Sequence, residues 1–205
     1  MNAMKRAGAM ACLPLAAGFA MISGLAHSAY AAATSSVAVQ PNPDTSRRIG
    51  IIATVEGAPG PFDRVDGHAD YRVSNAACTP LTPVTGATVV PEQRVPVTFD
   101  RQADGTFRAE VVLAPFRDED YFGQGVCHWA LAGVVADFHR GLVDFSPAIG
   151  LADAASSRTI VKHFSNASYR NADHARIDIG ADKPAAFNNP QDTFAIQLRA
   201  MPASR

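Results

Sequence analysis

Arg94-Val95-Pro96-Val97-Thr98-Phe99 and, beyond Asp104-Gly105, Thr106-Phe107-Arg108-Ala109-Glu110-Val111-Val112-Leu113 decide the fold class. In the first, Val95, Val97 and Phe99 alternate with Arg94, Pro96 and Thr98; in the second, Phe107, Ala109, Val111 and Leu113 alternate with Thr106, Arg108 and Glu110. Successive side chains of a strand point to opposite faces, so a period of two buries one face and wets the other. Asp104-Gly105 is a turn signal, and the two runs read as a hairpin whose loop of about five residues exceeds the tight two-residue turn.

The same alternation recurs outward from this pair. Ala69, Tyr71 and Val73 oppose His68, Asp70 and Arg72; Ala175, Ile177 and Ile179 oppose His174, Arg176 and Asp178; Phe194, Ile196 and Leu198 repeat it near the end. Ile49 to Val55, Val126 to Phe138, Leu142 to Phe145 and Arg158 to Phe164 are further strand candidates, about nine in all. No long segment carries a helical period, although Gly150 to Ser157 suits one helical turn. Half-polar strands at this spacing predict an all-β, antiparallel β-sandwich, immunoglobulin-like or related, with one disulfide.

The N-terminus reads as an address. Lys5 and Arg6 precede an apolar run from Ala7 to Ala26, and Ala29-Tyr30-Ala31 has the small-x-small form that signal peptidase accepts. The run is rich in Ala and Gly and broken by Pro14, which favours a cleaved signal over an anchor. Cys12 lies too early, and lacks the preceding Leu, for lipid attachment. The predicted organisation is a signal peptide over 1–31, a flexible leader over 32–47 and a single sandwich domain over 48–205, with the mature protein in the periplasm and no stable membrane association. Loss of Lys5 and Arg6 leaves 16 basic residues against 19 acidic, a net charge of −3. That balance supplies no basic face for nucleic acid and no attraction to an anionic bilayer.

Cys78 and Cys127 are the remaining cysteines, and in an exported protein an even count reads as a disulfide. Closing such a loop contributes about 4 kcal/mol in the chain-entropy model. On the strand after Cys127, period two puts Trp129 and Leu131 on the cysteine's face and predicts Trp129 beside the bridge.

The densest cluster of unusual residues is Asp118-Glu119-Asp120-Tyr121-Phe122-Gly123-Gln124-Gly125-Val126-Cys127-His128-Trp129. Its acids suit a hard cation in type but not in spacing, and a solvated loop is the simpler reading. Asp118, Glu119, Asp120, Tyr121 and Phe122 are the predicted partner contacts, with the aromatics as anchors and the acids steering encounter. His68, His128, His139, His163 and His174 form no metal-ligand motif, and Asp63, Asp66 and Asp70 read as a turn entering a strand. No G-x-S-x-G, S-x-x-K or H-E-x-x-H occurs, no Gly-rich phosphate loop leads into a helix, and paired cysteines supply no free thiolate. The sequence therefore names no catalytic residue, metal or cofactor.

Asp118 to Trp129, with the upstream Cys78-Thr79-Pro80 and the downstream Arg158-Thr159-Ile160-Val161-Lys162-His163-Phe164, resembles an uncharacterised family of small exported proteins of Gram-negative bacteria. The resembling stretch runs from Thr106 to Phe145, and with the flanking motifs the resemblance covers roughly two thirds of the expected mature chain. It implies no activity, but through companions of secreted toxic effectors it implies a periplasmic immunity protein. The expected function is thus a non-enzymatic domain that binds a protein partner, a toxin or an envelope protein. The competing expectation is a small-ligand or metal-binding envelope module, motivated by the histidines and acidic turns.

Overall fold

The computed structural model describes residues 38–82 and 86–201. The expected export signal, its cleavage site and the first residues of the expected leader lie outside the described residues. Eleven strands occur among them: β1 (Arg48–Glu56), β2 (Arg64–Val73), β3 (Glu92–Thr98), β4 (Asp100–Arg101), β5 (Phe107–Val112), β6 (Trp129–Arg140), β7 (Val143–Phe145), β8 (Ala148–Gly150), β9 (Ile160–Ser165), β10 (Arg176–Asp178) and β11 (Thr193–Met201). Two short helices, α1 (Leu151–Ala155) and α2 (Asn166–Arg170), complete the frame, and α1 is the expected helical turn. All nine expected strands are present. The additional β4 and β8 have two and three residues, too few to carry a readable period.

The strands form two sheets, one in the order β4-β5-β1-β11-β9 and one in the order β10-β7-β6-β2-β3, with β8 beside β6. The pairing is antiparallel except for β10, which runs parallel to β7. The core lies between the sheets: Ile49, Ile51, Ala53, Val111, Ile196 and Leu198 from one meet Ala69, Tyr71, Val134, Phe138 and Phe145 from the other. Phe62, Phe145, Phe164, Tyr169 and Phe194 meet mostly edge to face, with ring centroids 5.3 to 6.3 Å apart, the geometry that ring quadrupoles favour.

Three details differ from the sequence reading. The expected hairpin does not form, because β3 pairs with β2 in one sheet whereas β5 pairs with β1 and β4 in the other. The chain crosses between sheets at Phe99, whose ring is buried in the core, and Gly105 at φ +83° turns β4 into β5. On β6 a register shift opposite Asp70 and Tyr71 leaves Ala132 unpaired. This bulge moves the inward set from Trp129 and Leu131 to Val134, Ala136 and Phe138. On β10 the expected faces are reversed: Ile177 and Ile179 are 71% and 68% exposed. Arg176 is drawn inward because its guanidinium donates to the carbonyl oxygens of Ser168, Asn171 and His174, at 3.0, 3.4 and 3.4 Å.

Residues 38–47, read as leader, run beside the segment after β5. Arg117 N–H donates to Gln40 O at 2.9 Å, Asn42 N–H to Pro115 O at 2.8 Å and Leu113 N–H to Arg47 O at 2.8 Å, while Val39 packs on the core.

Candidate functional site

Three connections gather at one end of the sandwich: the chain from β2 to β3, the chain from β5 to β6, and α1. Cys78 and Cys127 join the first two, as expected, with Cα atoms 5.3 Å apart and both residues buried. Asn75 adds a second tie between them. Its Nδ2 donates to Val126 O at 2.8 Å, and its Oδ1 accepts the His128 N–H at 2.7 Å. Trp129 belongs to the buried cluster that contains both cysteines, and its ring lies 5.2 Å from that of Phe116.

The acidic loop spends its charges on its own backbone. Asp118 Oδ1 accepts the Trp129 N–H at 2.9 Å, and its Oδ2 sits 2.8 Å from His128 Nδ1. Asp120 Oδ1 accepts the Gln124 N–H at 3.0 Å and, less closely, the Phe122 N–H at 3.3 Å. Glu119 makes an antiparallel bridge with Cys127 and stands 3.8 Å from the Arg117 guanidinium. The aromatics differ from the sequence reading in orientation: Tyr121 and Phe122 are half-buried against the core, and the Tyr121 hydroxyl donates to Arg117 O at 2.6 Å. What the loop shows to solvent is Arg117, Asp118, Asp120, Gly123, Gln124, Gly125 and Val126.

Beside this loop lie two adjoining grooves of about 1310 and 590 Å³, which share Ala130, Leu131 and Leu151. The larger runs between the segment around Val89 and α1; the smaller passes Phe116 and Trp129 to reach Arg117 and Asp118. Val89 is 66% exposed and Leu151 41%. Arg72 and Glu92 at one end, and Arg47, Arg117 and Asp118 at the other, give this apolar floor a charged rim. Such an arrangement suits contact with another macromolecule, where an apolar centre is sealed by a polar border. Sequence reasoning missed the groove, because it is assembled from three connections. The small residues Ala130, Ala132 and Gly150 that leave the space carry no signal of their own.

A second polar cluster occupies the outer face of the six-stranded sheet. His139 lies between Asp144, 2.6 Å from Nδ1, and Asp66, 2.8 Å from Nε2. His68 lies between Asp137, at 3.4 Å, and Asp70, at 3.6 Å; Ser146 donates to Asp137, and Arg94 to Asp70 at 2.9 Å. Asp66, read from the sequence as part of a turn, is thus a strand residue that faces Arg64 on β2 and His139 on β6, while Asp70 faces His68 on β2 and Arg94 on β3. Burial opposes the charged form of His139, but its bonds to Asp66 and Asp144 outweigh this and raise its pKa above the usual value. The carboxyl of Asp66 moves the other way: burial pushes it up, and the bonds from His139 and Arg64 bring it below its usual value. Among the described residues no group of three or more His, Cys, Asp and Glu side chains is placed to hold a metal ion, and no helix is long and apolar enough to cross a membrane.

Fold and site together define a class: a two-sheet β-sandwich, tied by one disulfide, with an open groove built from loops at the tied end. No family model, curated protein or solved structure matches the chain.

Proposed function

We propose that this chain is a non-enzymatic protein-binding domain of the bacterial periplasm that engages its partner through the groove at the disulfide end, as an immunity or inhibitor protein for a secreted toxin. The observation that carries the reading is the pair of exposed apolar side chains, Val89 and Leu151, lining a groove with a charged rim. The disulfide and Asn75 brace two of the three connections around it, so little conformational freedom remains to be lost on binding. The resemblance of Asp118 to Trp129 to a family of exported companions of toxins supports the compartment and the class of partner. Asp118 is the one predicted contact that reaches the groove; Tyr121 and Phe122 act from behind, by holding the loop on the core.

The test compares wild type with the double variant Val89→Asp, Leu151→Asp, each immobilised and exposed to periplasmic extract. Both positions are exposed, so thermal unfolding should be unchanged. A protein held by wild type and lost from the variant is the expected partner, and if it is toxic, co-production of the wild-type chain restores growth. Equal retention by both chains would remove the groove from the interface.

A further inference from the structure

We infer that the free edge of β10 is a self-pairing surface, which joins two copies of this chain through an antiparallel β10–β10 ladder about a two-fold axis at Ile177. The inference is independent of the groove at the disulfide end.

Open strand edges invite pairing, and proteins usually blunt them with charges, proline or a covering segment. Among the described residues, three of the four sheet edges are blunted. β3 carries Glu92, Arg94 and Pro96; β4 consists of Asp100 and Arg101; the outer side of β9 is met by Ala181, which exchanges hydrogen bonds with His163 at 2.8 and 2.9 Å. β10 also carries two charges, but Arg176 is held by the carbonyls of Ser168, Asn171 and His174 and Asp178 by the Gly180 N–H, and no proline or covering segment protects this edge among the described residues. It offers the exposed, β-branched Ile177, with the exposed Ile179 just past its end, and Leu142 at the neighbouring turn is 58% exposed as well.

The backbone is ready to pair. Arg176 N–H donates to Leu142 O at 3.2 Å and Asp178 O accepts from Ser146 N–H at 2.7 Å, so Arg176 and Asp178 point their peptide groups at β7. Alternate residues bond to opposite sides, which leaves the N–H and C=O of Ile177 directed at the open edge. A two-fold axis through Ile177 makes that residue face its own copy as a hydrogen-bonded pair, and brings Ile179 opposite Ala175 of the second copy. The same register sets Arg176 opposite Asp178 of the second copy, twice, so the edge is complementary to itself in charge as well as in bonding. The two six-stranded sheets then become one continuous sheet, with the isoleucines of both copies in contact on its outer face. A three-residue edge is small beside a standard interface, so association rises with protein concentration rather than being complete when dilute.

The register gives a sharp test on the full mature chain, whose own cysteines are already joined. Across the axis the Ile177 Cα atoms are about 5.5 Å apart, whereas the Ile179 positions are displaced along the strands by about 13 Å. A short reagent that links two thiols should capture Ile177→Cys as a covalent homodimer and leave Ile179→Cys largely monomeric. Sedimentation should show wild type self-associating with concentration and Ile177→Lys, which sets like charges face to face, losing that association with an unchanged unfolding temperature. Wild type that stays monomeric at every concentration would overturn the inference. Equal capture at positions 177 and 179, or association that survives Ile177→Lys, would overturn it too.

Discussion

Asp118→Ala should destabilise the fold, although Asp118 is half exposed and stands in a loop. Its Oδ1 accepts the backbone N–H of Trp129, the first residue of β6, and its Oδ2 contacts His128. Trp129 is 8% exposed, so water replaces the lost acceptor poorly and the N–H is left unpartnered. Hydrogen bonds to a charged group contribute about 1.5 to 3 kcal/mol; the exposure of Asp118 favours the lower half of that range. In a domain of this size each 1 kcal/mol lowers the melting temperature by about 2 to 4 °C, so a fall of about 3 to 8 °C is expected. Asp118→Asn keeps an acceptor oxygen and should lose less. Urea unfolding read by the fluorescence of Trp129, the sole tryptophan, measures both variants at the affected site. A loss below ~0.5 kcal/mol for Asp118→Ala, or equal losses for the two variants, would refute the assigned role and return Asp118 to a purely external one.

Two further outcomes follow from the same structure. Replacing Cys78 and Cys127 together by Ala should lower the unfolding free energy by about 2 to 5 kcal/mol, and thiol titration of the unfolded, unreduced wild type should find no free thiol among the two; reactive thiols at both would refute the bridge. Stability should also depend on His139: because its folded pKa is raised, the contribution is complete below the ordinary value of 6.5 and is lost as pH rises through the folded value. Asp66, with its pKa lowered, contributes above 3.8 and loses that contribution as pH falls through its folded value. Urea midpoints measured across both windows should show a decline on the alkaline side that His139→Gln removes; an unchanged decline in the variant would assign it to other groups.

The β-sandwich class was legible because one face of most strands is buried, and burial writes a period of two into Ala69-Asp70-Tyr71-Arg72-Val73 or Phe107-Arg108-Ala109-Glu110-Val111. Sheet membership was not legible. Asp104-Gly105 marks a turn correctly, but the turn serves β4 and β5, and nothing local shows that Phe99 carries the chain into the other sheet. The reversal of β10 was hidden for a similar reason: the carbonyls that hold Arg176 belong to α2 and the turn after it, and hydrogen bonding outweighed the apolar alternation of Ala175, Ile177 and Ile179. Around the candidate site, composition singled out the loop over 118–122 as exposed, whereas its aromatics Tyr121 and Phe122 lie half-buried against the core. The acids are solvated as expected at Asp118 and Asp120, but their further role of accepting the N–H groups of Trp129 and Gln124 leaves no trace in the sequence.

The pairing of β1 with β11 has a consequence for the order in which the molecule is made. β11 lies between β1 and β9, aligned with β1 from Gly50–Met201 to Glu56–Ala195 and with β9 from Thr193–Ser165 to Leu198–Ile160. A ribosome therefore delivers this interior strand after every other strand of its sheet. Until it emerges, β1 lacks a neighbour on one side and β9 has none within the sheet. Before β11 arrives only β4, β5 and β1 of this sheet can pair, and its closure through β11 is a long-range event, which folds slowly compared with local pairing. A chain that stopped just before Thr193 would lack the plank on which both flanking strands rest.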